Sequence, residues 1–486
     1  MRWSQPLVAA ALCCAALAAC SDAPTAAETR TERPEGVAPP LVMNATTSRV
    51  VGYFPTWTGS IDSIQYSKLT HINYAFVLPT TSGGLTGVPM SNDARLLGLV
   101  QRAHNAGVKV LISIGGWNNG DDSGFVGMAA SSTARNTFVN NVVTFVTNYG
   151  LDGVDIDWEY PDPNTAEATN YATLMSQLST AMHSRGKLLT AAVVAKDWYG
   201  AGIQSSVFGY VDYLVLMAYD RSPAPHSPYS YADSSITYWA NRGLPQSKTV
   251  LGVPFYGSNS SGTQKSYRAI VAADANAPNT DYSGGFYYNG IATMKQKTSL
   301  SLSRATGVAI WELTQDTNGA TSLLNAIQEV MASAPQPQVV YADALASGWA
   351  NWSWSATTNF AATSPVQSGT KSIGVTITAA WGALYLHHAG MSPSGLSRLE
   401  FWIHGGTAGG QQLVVYVEDA GSASLPQLPL SSYVTGGSVA AGTWRKVSIP
   451  LSSLGVTTHA ITEVAVMDDT GGAQPVFYVD GMEFVP

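Results

Sequence analysis

Residues 151–161 read L-D-G-V-D-I-D-W-E-Y-P, and no other stretch of the chain restricts its fold as strongly. Val154, Ile156 and Trp158 alternate with Asp155, Asp157 and Glu159. That is the period of a β-strand, whose successive side chains point to opposite faces. The three carboxylates share one face and the apolar set the other. Charged residues are only 12% of the chain, so this cluster is not a by-product of an acidic composition. On a solvated strand, three like charges in a row would repel and gain nothing. On an inward face they would disfavour one another's ionisation, leaving one carboxyl protonated at neutral pH. A protonated acid beside ionised partners suits general-acid catalysis. The plainer alternatives are an acidic metal-binding loop and a solvated edge strand.

The surrounding pattern favours the enclosed reading. Eight short apolar runs alternate with helix-like segments: Arg49–Phe54, Leu69–Val77, Val108–Gly116, Gly153–Glu159, Lys187–Val194, Tyr210–Tyr219, Thr249–Tyr256 and Gly307–Leu313. Amphipathic stretches such as Asn92–Ala106, Thr133–Tyr149 and Glu167–Ser184 lie between them, and Ala320–Ala332 would close the domain. Alternating β and α units imply a parallel sheet, and eight βα pairs in this length imply an α/β fold of the (β/α)₈ TIM-barrel type. Active sites of that fold sit at the C-terminal strand ends, where Glu159 falls.

Four other strand ends carry unusual residues. Tyr53 ends the first, Ser113-Ile114-Gly115-Gly116-Trp117 the third, Met217-Ala218-Tyr219-Asp220 the sixth and Trp311-Glu312 the eighth. Singly, each has a bland account: a glycine turn, core methionine, a buried aromatic anchor. Together with Asp152-Gly153-Val154-Asp155-Ile156-Asp157-Trp158-Glu159, they resemble the D-G-x-D-x-D-x-E, S-x-G-G and M-x-Y-D motifs of family 18 glycoside hydrolases, the chitinase family. The resemblance implies retaining hydrolysis of β-1,4-linked N-acetylglucosamine polymers in which the substrate's acetamido oxygen is the nucleophile. It implies that Glu159 is the acid and then the base, that Asp157 orients the acetamido group, and that Asp155 shares a proton with Asp157. Tyr219 would donate to the acetamido carbonyl. Asp220 would contact the same sugar and raise the proton affinity of the acid. Ser113 would hydrogen-bond Asp155, Tyr53 would line that layer, and Trp311 would floor the cleavage point. Gly116, Trp117 and Met217 complete the expected binding set, and no cofactor is implied for catalysis. Endo-β-N-acetylglucosaminidases acting on N-glycans and non-catalytic surface chitin-binding proteins remain as alternatives. The intact M-x-Y-D speaks against the first and Glu159 against the second.

The segment 258–306 is too short for the α+β wall of deep-cleft members, so an open groove and endo action are expected. Tyr282, Phe286, Tyr287, Tyr288, Trp117, Trp198 and Trp239 are either sugar platforms or packing.

The two ends of the chain read differently. Met1–Cys20 has Arg2 and an apolar run of small residues, a targeting segment too short to span a bilayer. Leu17-Ala18-Ala19-Cys20 resembles the lipobox of bacterial lipoproteins, which implies a lipid on Cys20 and export to the cell surface or outer membrane; an ordinary cleaved signal peptide followed by secretion is the alternative. Residues 21–48, rich in Ala, Thr, Pro and Glu, read as a flexible tether. All three cysteines lie in the first 20 residues, so the exported chain has no cysteine pair to bridge. The barrel is expected over 49–333 and a Pro/Gln linker over 334–338. From 339 to 486, short alternating strands separated by Gly/Ser/Thr turns indicate a smaller all-β sandwich or jelly roll. Its last strand, Phe477–Phe484, resembles that of galactose-binding-like carbohydrate modules, which implies a carbohydrate-binding role and a structural calcium at Asp343 and Asp480. Trp349, Trp352 and Trp354, with Trp381 and Tyr385, would form either a sugar-binding face or the sandwich core. The net charge of −8 and the absence of basic runs argue against nucleic acid as a partner. A monomer is expected.

Overall fold

The computed structural model describes residues 48–486, apart from 223, 422–424 and 457. The targeting segment, the lipobox-like Leu17–Cys20 and the tether up to residue 47 lie outside the described residues. No described helix is long and apolar enough to cross a membrane.

Eight parallel strands form the barrel: β1 (Arg49–Pro55), β2 (His71–Pro79), β3 (Lys109–Gly115), β4 (Gly153–Asp157), β5 (Leu188–Val194), β6 (Tyr213–Met217), β7 (Thr249–Pro254) and β8 (Gly307–Trp311). Each pairs with the next, and β8 pairs with β1 to close the ring. Closure explains why these runs are apolar on both faces. Val154, Ile156 and Trp158 face the helical shell, while Val51, Tyr53, Tyr213, Val215, Met217 and Val250 fill the interior.

The helices follow the amphipathic segments. Ala94–Asn105 starts where the Asp93 side chain accepts the Leu96 N–H at 2.8 Å, and it buries Leu96, Leu99, Val100 and Ala103 on one stripe. Ser132–Tyr149 stops at Gly150, in the left-handed region at φ +65°. One expected unit differs. β1 connects to β2 through two 3₁₀ turns, Ile61–Ser63 and Tyr66–Lys68, not through an α-helix.

The segment after β7 also differs from expectation. Four short strands, Tyr256–Ser258, Gln264–Ser266, Tyr282–Ser283 and Phe286–Tyr287, form an antiparallel sheet beside the helix Tyr267–Ala273. A small α+β unit therefore does stand where an unwalled groove was expected. The strands are too short to show a clear alternation in the sequence.

From Gln338 onward the chain forms two antiparallel sheets. One is ordered Ala356–Ala362, Ser372–Ile377, Gln474–Val485, Arg398–His404, Trp444–Pro450, with Gln338–Tyr341 also pairing Gln474–Val485. The other is ordered Trp349–Asn351, Ala383–Met391, Ile461–Asp468, Leu413–Asp419, Leu428–Pro429. Their inward residues make a separate core. Trp349 belongs to that core, stacked on Phe484 at 6.4 Å, and is not part of an exposed platform.

The calcium expectation meets the wrong donors. Asp343 accepts the backbone N–H groups of Thr370 (2.6 Å) and Lys371 (2.8 Å). Asp480 accepts those of Gln367 (2.9 Å), Ser368 (3.1 Å) and Gly481 (2.8 Å). Both carboxylates brace the 367–371 loop with amide donors where a cation would need oxygen ligands. Among the described residues, no group of three His, Cys, Asp or Glu could hold a metal.

Candidate active site

The strand register assembles the site. Ser113, Asp155, Thr190 and Tyr213 occupy one row across β3, β4, β5 and β6. Asp155 is fully buried there. Its Oδ2 accepts from Tyr53 (3.0 Å) and Ser113 (2.8 Å), and its Oδ1 from Thr190 (2.6 Å). Burial pushes the Asp155 carboxyl up, and the Thr190, Ser113 and Tyr53 hydroxyls oppose that by solvating the ionised form. Asn73 lies next to this group on β2, and both its amide atoms are buried without a partner. In this arrangement Asp155 takes its hydrogen bonds from the Tyr53, Ser113 and Thr190 hydroxyls.

One step up the strand, Asp157 is 3% exposed and its Oδ1 has no partner. Burial raises its proton affinity well above the ordinary value, and the charges of Glu159 and then Asp155 raise it further. Glu159 lies just past the end of β4. Its carboxyl is pushed up to about 7, chiefly by burial; the Tyr160 hydroxyl works against this and the Asp220 charge adds to it. Asp152, at the other end of the motif, is remote from this chemistry. It accepts the Val110 N–H at 2.8 Å and contacts His104 at 2.8 Å, anchoring the start of β4.

Asp157 and Glu159 open into a cavity of about 610 Å³. Tyr53, Trp117, Met217, Tyr219, Asp220 and Trp311 line it, as the sequence indicated. Tyr219 is partly buried; loss of solvation, and then the charges of Asp157 and Glu159, push its hydroxyl well above its ordinary proton affinity. Trp311 stacks on Phe76 (5.4 Å, 22°), and Phe76 on Trp57 (6.3 Å, 28°), giving an aromatic floor. Ser113 sits beneath the cavity and acts through Asp155. Of the possible sugar platforms, Trp239 and Tyr288 are core residues, while Trp117, Trp198 and Tyr282 are exposed.

The two glycines after β3 are backbone requirements. Gly116 (φ +83°) donates its N–H to the Asp157 carbonyl at 2.8 Å, and a Cβ there would lie 2.5 Å from the Phe76 ring. A Cβ on Gly115 (φ +118°) would lie 2.0 Å from the Asp157 carbonyl oxygen. Gly115→Ala is expected to destabilise the fold by about 3 kcal/mol, from the positive φ and the clash together. A thermal melt indistinguishable from that of the parent would contradict this.

The sequence reading passed over several members of the site. Tyr256 donates to Asp220 at 2.7 Å, and Gln264 to the same oxygen at 3.3 Å. His226 is 3% exposed and lies 3.7 Å from Asp220. Thr190 had one available signal, a lone hydroxyl at an inward position of an apolar strand. Tyr256 had one as well, as the last residue of the apolar run Thr249–Tyr256; Gln264 and His226 had none, because they come from a three-residue strand and a loop.

The geometry can hold a proton on Glu159 near neutrality, with a buried carboxyl, a tyrosine hydroxyl and an aromatic floor beside it. If Glu159 acts as an acid, kcat/KM should fall as pH rises through about 7. Asp220→Asn removes a neighbouring negative charge, lowers the proton affinity of Glu159 and moves that falling limb to lower pH. A pH profile with an unmoved or raised limb would refute the coupling.

Several known proteins are similar to this chain. A chitinase-like effector of Moniliophthora roreri is 33% identical over 248 residues, covering 44% of this chain and 59% of that protein. A probable endochitinase of Caenorhabditis elegans is 33% identical over 229 residues, covering 39% of this chain and 36% of that protein. The chain thus spans between about a third and three fifths of the length of these curated relatives. The crystal structure of a GH18 chitinase, ChiB, from the chitin utilization locus of Flavobacterium johnsoniae superposes with a TM-score of 0.53 at 29% identity, covering 59% of this chain and 94% of that one. Residues 49–354 match the profile of glycosyl hydrolases family 18, and the chain belongs to that family.

Proposed function

We propose that the chain hydrolyses β-1,4 linkages between N-acetylglucosamine units in chitin and chito-oligosaccharides, with retention and in endo mode. The carrying observation is that Glu159, the buried Asp157 and Tyr219 converge on one cavity, where burial pushes the Glu159 carboxyl up to about 7. Glu159 gives its proton to the leaving oxygen as the acetamido oxygen attacks C1, breaking the glycosidic bond and forming an oxazolinium ion. Asp157 accepts the acetamido N–H and balances the growing positive charge, while Tyr219 donates to the acetamido oxygen. Glu159 then takes a proton from water, which attacks C1 and restores the acetamido group with net retention. Trp311, backed by Phe76, supports the apolar face of the sugar. The small size of the α+β unit after β7 favours endo cleavage. Export on a lipid at Cys20 is supported by the Leu17–Cys20 pattern.

The test is the anomer first released from chito-oligosaccharides, read by proton NMR. The β anomer is expected, and the α anomer would overturn the scheme. Parallel assays on chitin and on a high-mannose glycopeptide decide between polymer and N-glycan; faster release from the glycopeptide would replace chitin as the substrate.

A further inference from the structure

The outer face of the five-stranded sheet carries a second constellation of aromatic and acidic residues. Pairing among Ala383–Met391, Ile461–Asp468 and Leu413–Asp419 sets His387, Glu463 and Glu418 in one row and Tyr385, Ala465 and Tyr416 in the next. The alternate positions, Leu386, Val464 and Val417, point into the core, so these rows face outward.

Two tryptophans are fixed over the rows. Trp352 lies flat on His387 (3.6 Å, 7°), and its backbone N–H donates to the Tyr385 carbonyl at 2.9 Å. Its other ring face is free, and the residue is 55% exposed. Trp354 packs against Tyr385 at 4.9 Å and donates its Nε1–H to the Trp381 carbonyl at 2.9 Å, yet it remains 39% exposed. Folding alone would bury such rings, and a contiguous exposed aromatic patch marks a binding surface. Holding both rings in place beforehand lowers the entropy cost of binding.

The polar residues define the occupant. Glu463 is held by the His387 imidazole at 2.8 Å, with Glu418 directly across the strand pair. These rows carry two carboxylates and no Lys or Arg, which repels polyanions; Glu463 is buried against His387, and the exposed Glu418 offers an acceptor to hydroxyl groups. A pyranose presents a C–H face to the electron-rich face of an aromatic ring and hydroxyl edges to such acceptors. Tyr385 and Tyr416, their rings 6.5 Å apart, close over the buried Ala465 and support the exposed tryptophans from beneath.

We propose that this face binds a chain of neutral β-1,4-linked pyranoses, as a site separate from the catalytic cavity. The site holds polymer whether or not the barrel cleaves it, and attachment raises the local substrate concentration for the barrel.

The experiment uses the full chain carrying Glu159→Gln, so that polymer is not consumed, and measures retention on insoluble chitin and on microcrystalline cellulose. Trp352→Ala with Trp354→Ala is expected to weaken retention about tenfold or more. Glu463→Gln with Glu418→Gln, which keeps the rings, is expected to weaken it several-fold. With Glu159 restored, both pairs should turn over a soluble fluorogenic chito-oligosaccharide at the parent rate, which separates this site from the catalytic reading. Loss on both polymers means that the pyranose chain suffices; loss on chitin alone means that the acetamido groups are also read. Undiminished retention in both pairs overturns the proposal. So does a loss confined to a tryptophan pair that also fails on the soluble substrate.

Discussion

Glu159→Gln is expected to reduce chito-oligosaccharide hydrolysis by about 10³-fold or more, while substrate affinity changes little. Gln has nearly the same shape and fills the same space at the end of β4, so the cavity should survive. It cannot hold or deliver a proton of the required acidity. General acid–base catalysis contributes roughly 10²–10⁴-fold, and here one side chain serves both the bond-breaking and the water-activating step. The position also explains why a carboxyl can be the acid at neutral pH. Burial, with the Asp220 charge beyond it, brings its proton affinity up to about 7, so an appreciable protonated fraction exists where most glutamates have none. Measuring kcat together with the dissociation constant for chitopentaose separates the two effects. Turnover within about tenfold of the parent would remove Glu159 from this role.

How much of this was legible beforehand depends on the kind of information each residue carries. The alternation of Val154, Ile156 and Trp158 with Asp155, Asp157 and Glu159 is local, and it placed two carboxyls inside the barrel and a third just beyond the strand end. Tyr53, Ser113, Tyr219 and Trp311 were recognisable because each closes a strand with a distinctive residue. Thr190 and Asn73 are different. Each is a polar residue at an inward position of a largely apolar run, and its meaning arises from register with strands that are distant in sequence. Tyr256 and Gln264 come from an insertion whose strands are two or three residues long, below the length at which periodicity is readable. The sandwich shows the same division. Seven of its eight strands of six or more residues alternate clearly; Ala356–Ala362 has too few apolar residues to do so, and Gln338–Tyr341, Trp349–Asn351 and Leu428–Pro429 are too short. A carboxylate in sequence does not reveal its donors, and Asp343 and Asp480 turn out to take backbone amides.

Asp157→Asn is expected to cost roughly 10²–10⁴-fold in kcat, with a smaller change in KM, because its charge matters most in the transition state. The parent carboxyl is almost wholly buried and one of its oxygens has no partner, an arrangement that is costly unless the substrate completes it. An acetamido N–H would supply the missing donor. Asn keeps the size of the side chain and removes the charge that balances the forming oxazolinium. It also removes an acidic neighbour whose proton affinity the Glu159 charge raises, and by reciprocity the falling limb of the pH profile should move to lower pH. A structural role alone would not tie the loss to one substrate group. The decisive comparison therefore uses two fluorogenic glycosides, one bearing the 2-acetamido group and one with a hydroxyl in its place. The parent should strongly prefer the first, and Asp157→Asn should erase most of that preference, since the lost interaction passes through the acetamide. An equal fold-loss on both glycosides would mean that Asp157 supports the site without guiding the sugar's amide, and the substrate-assisted route would lose its main residue.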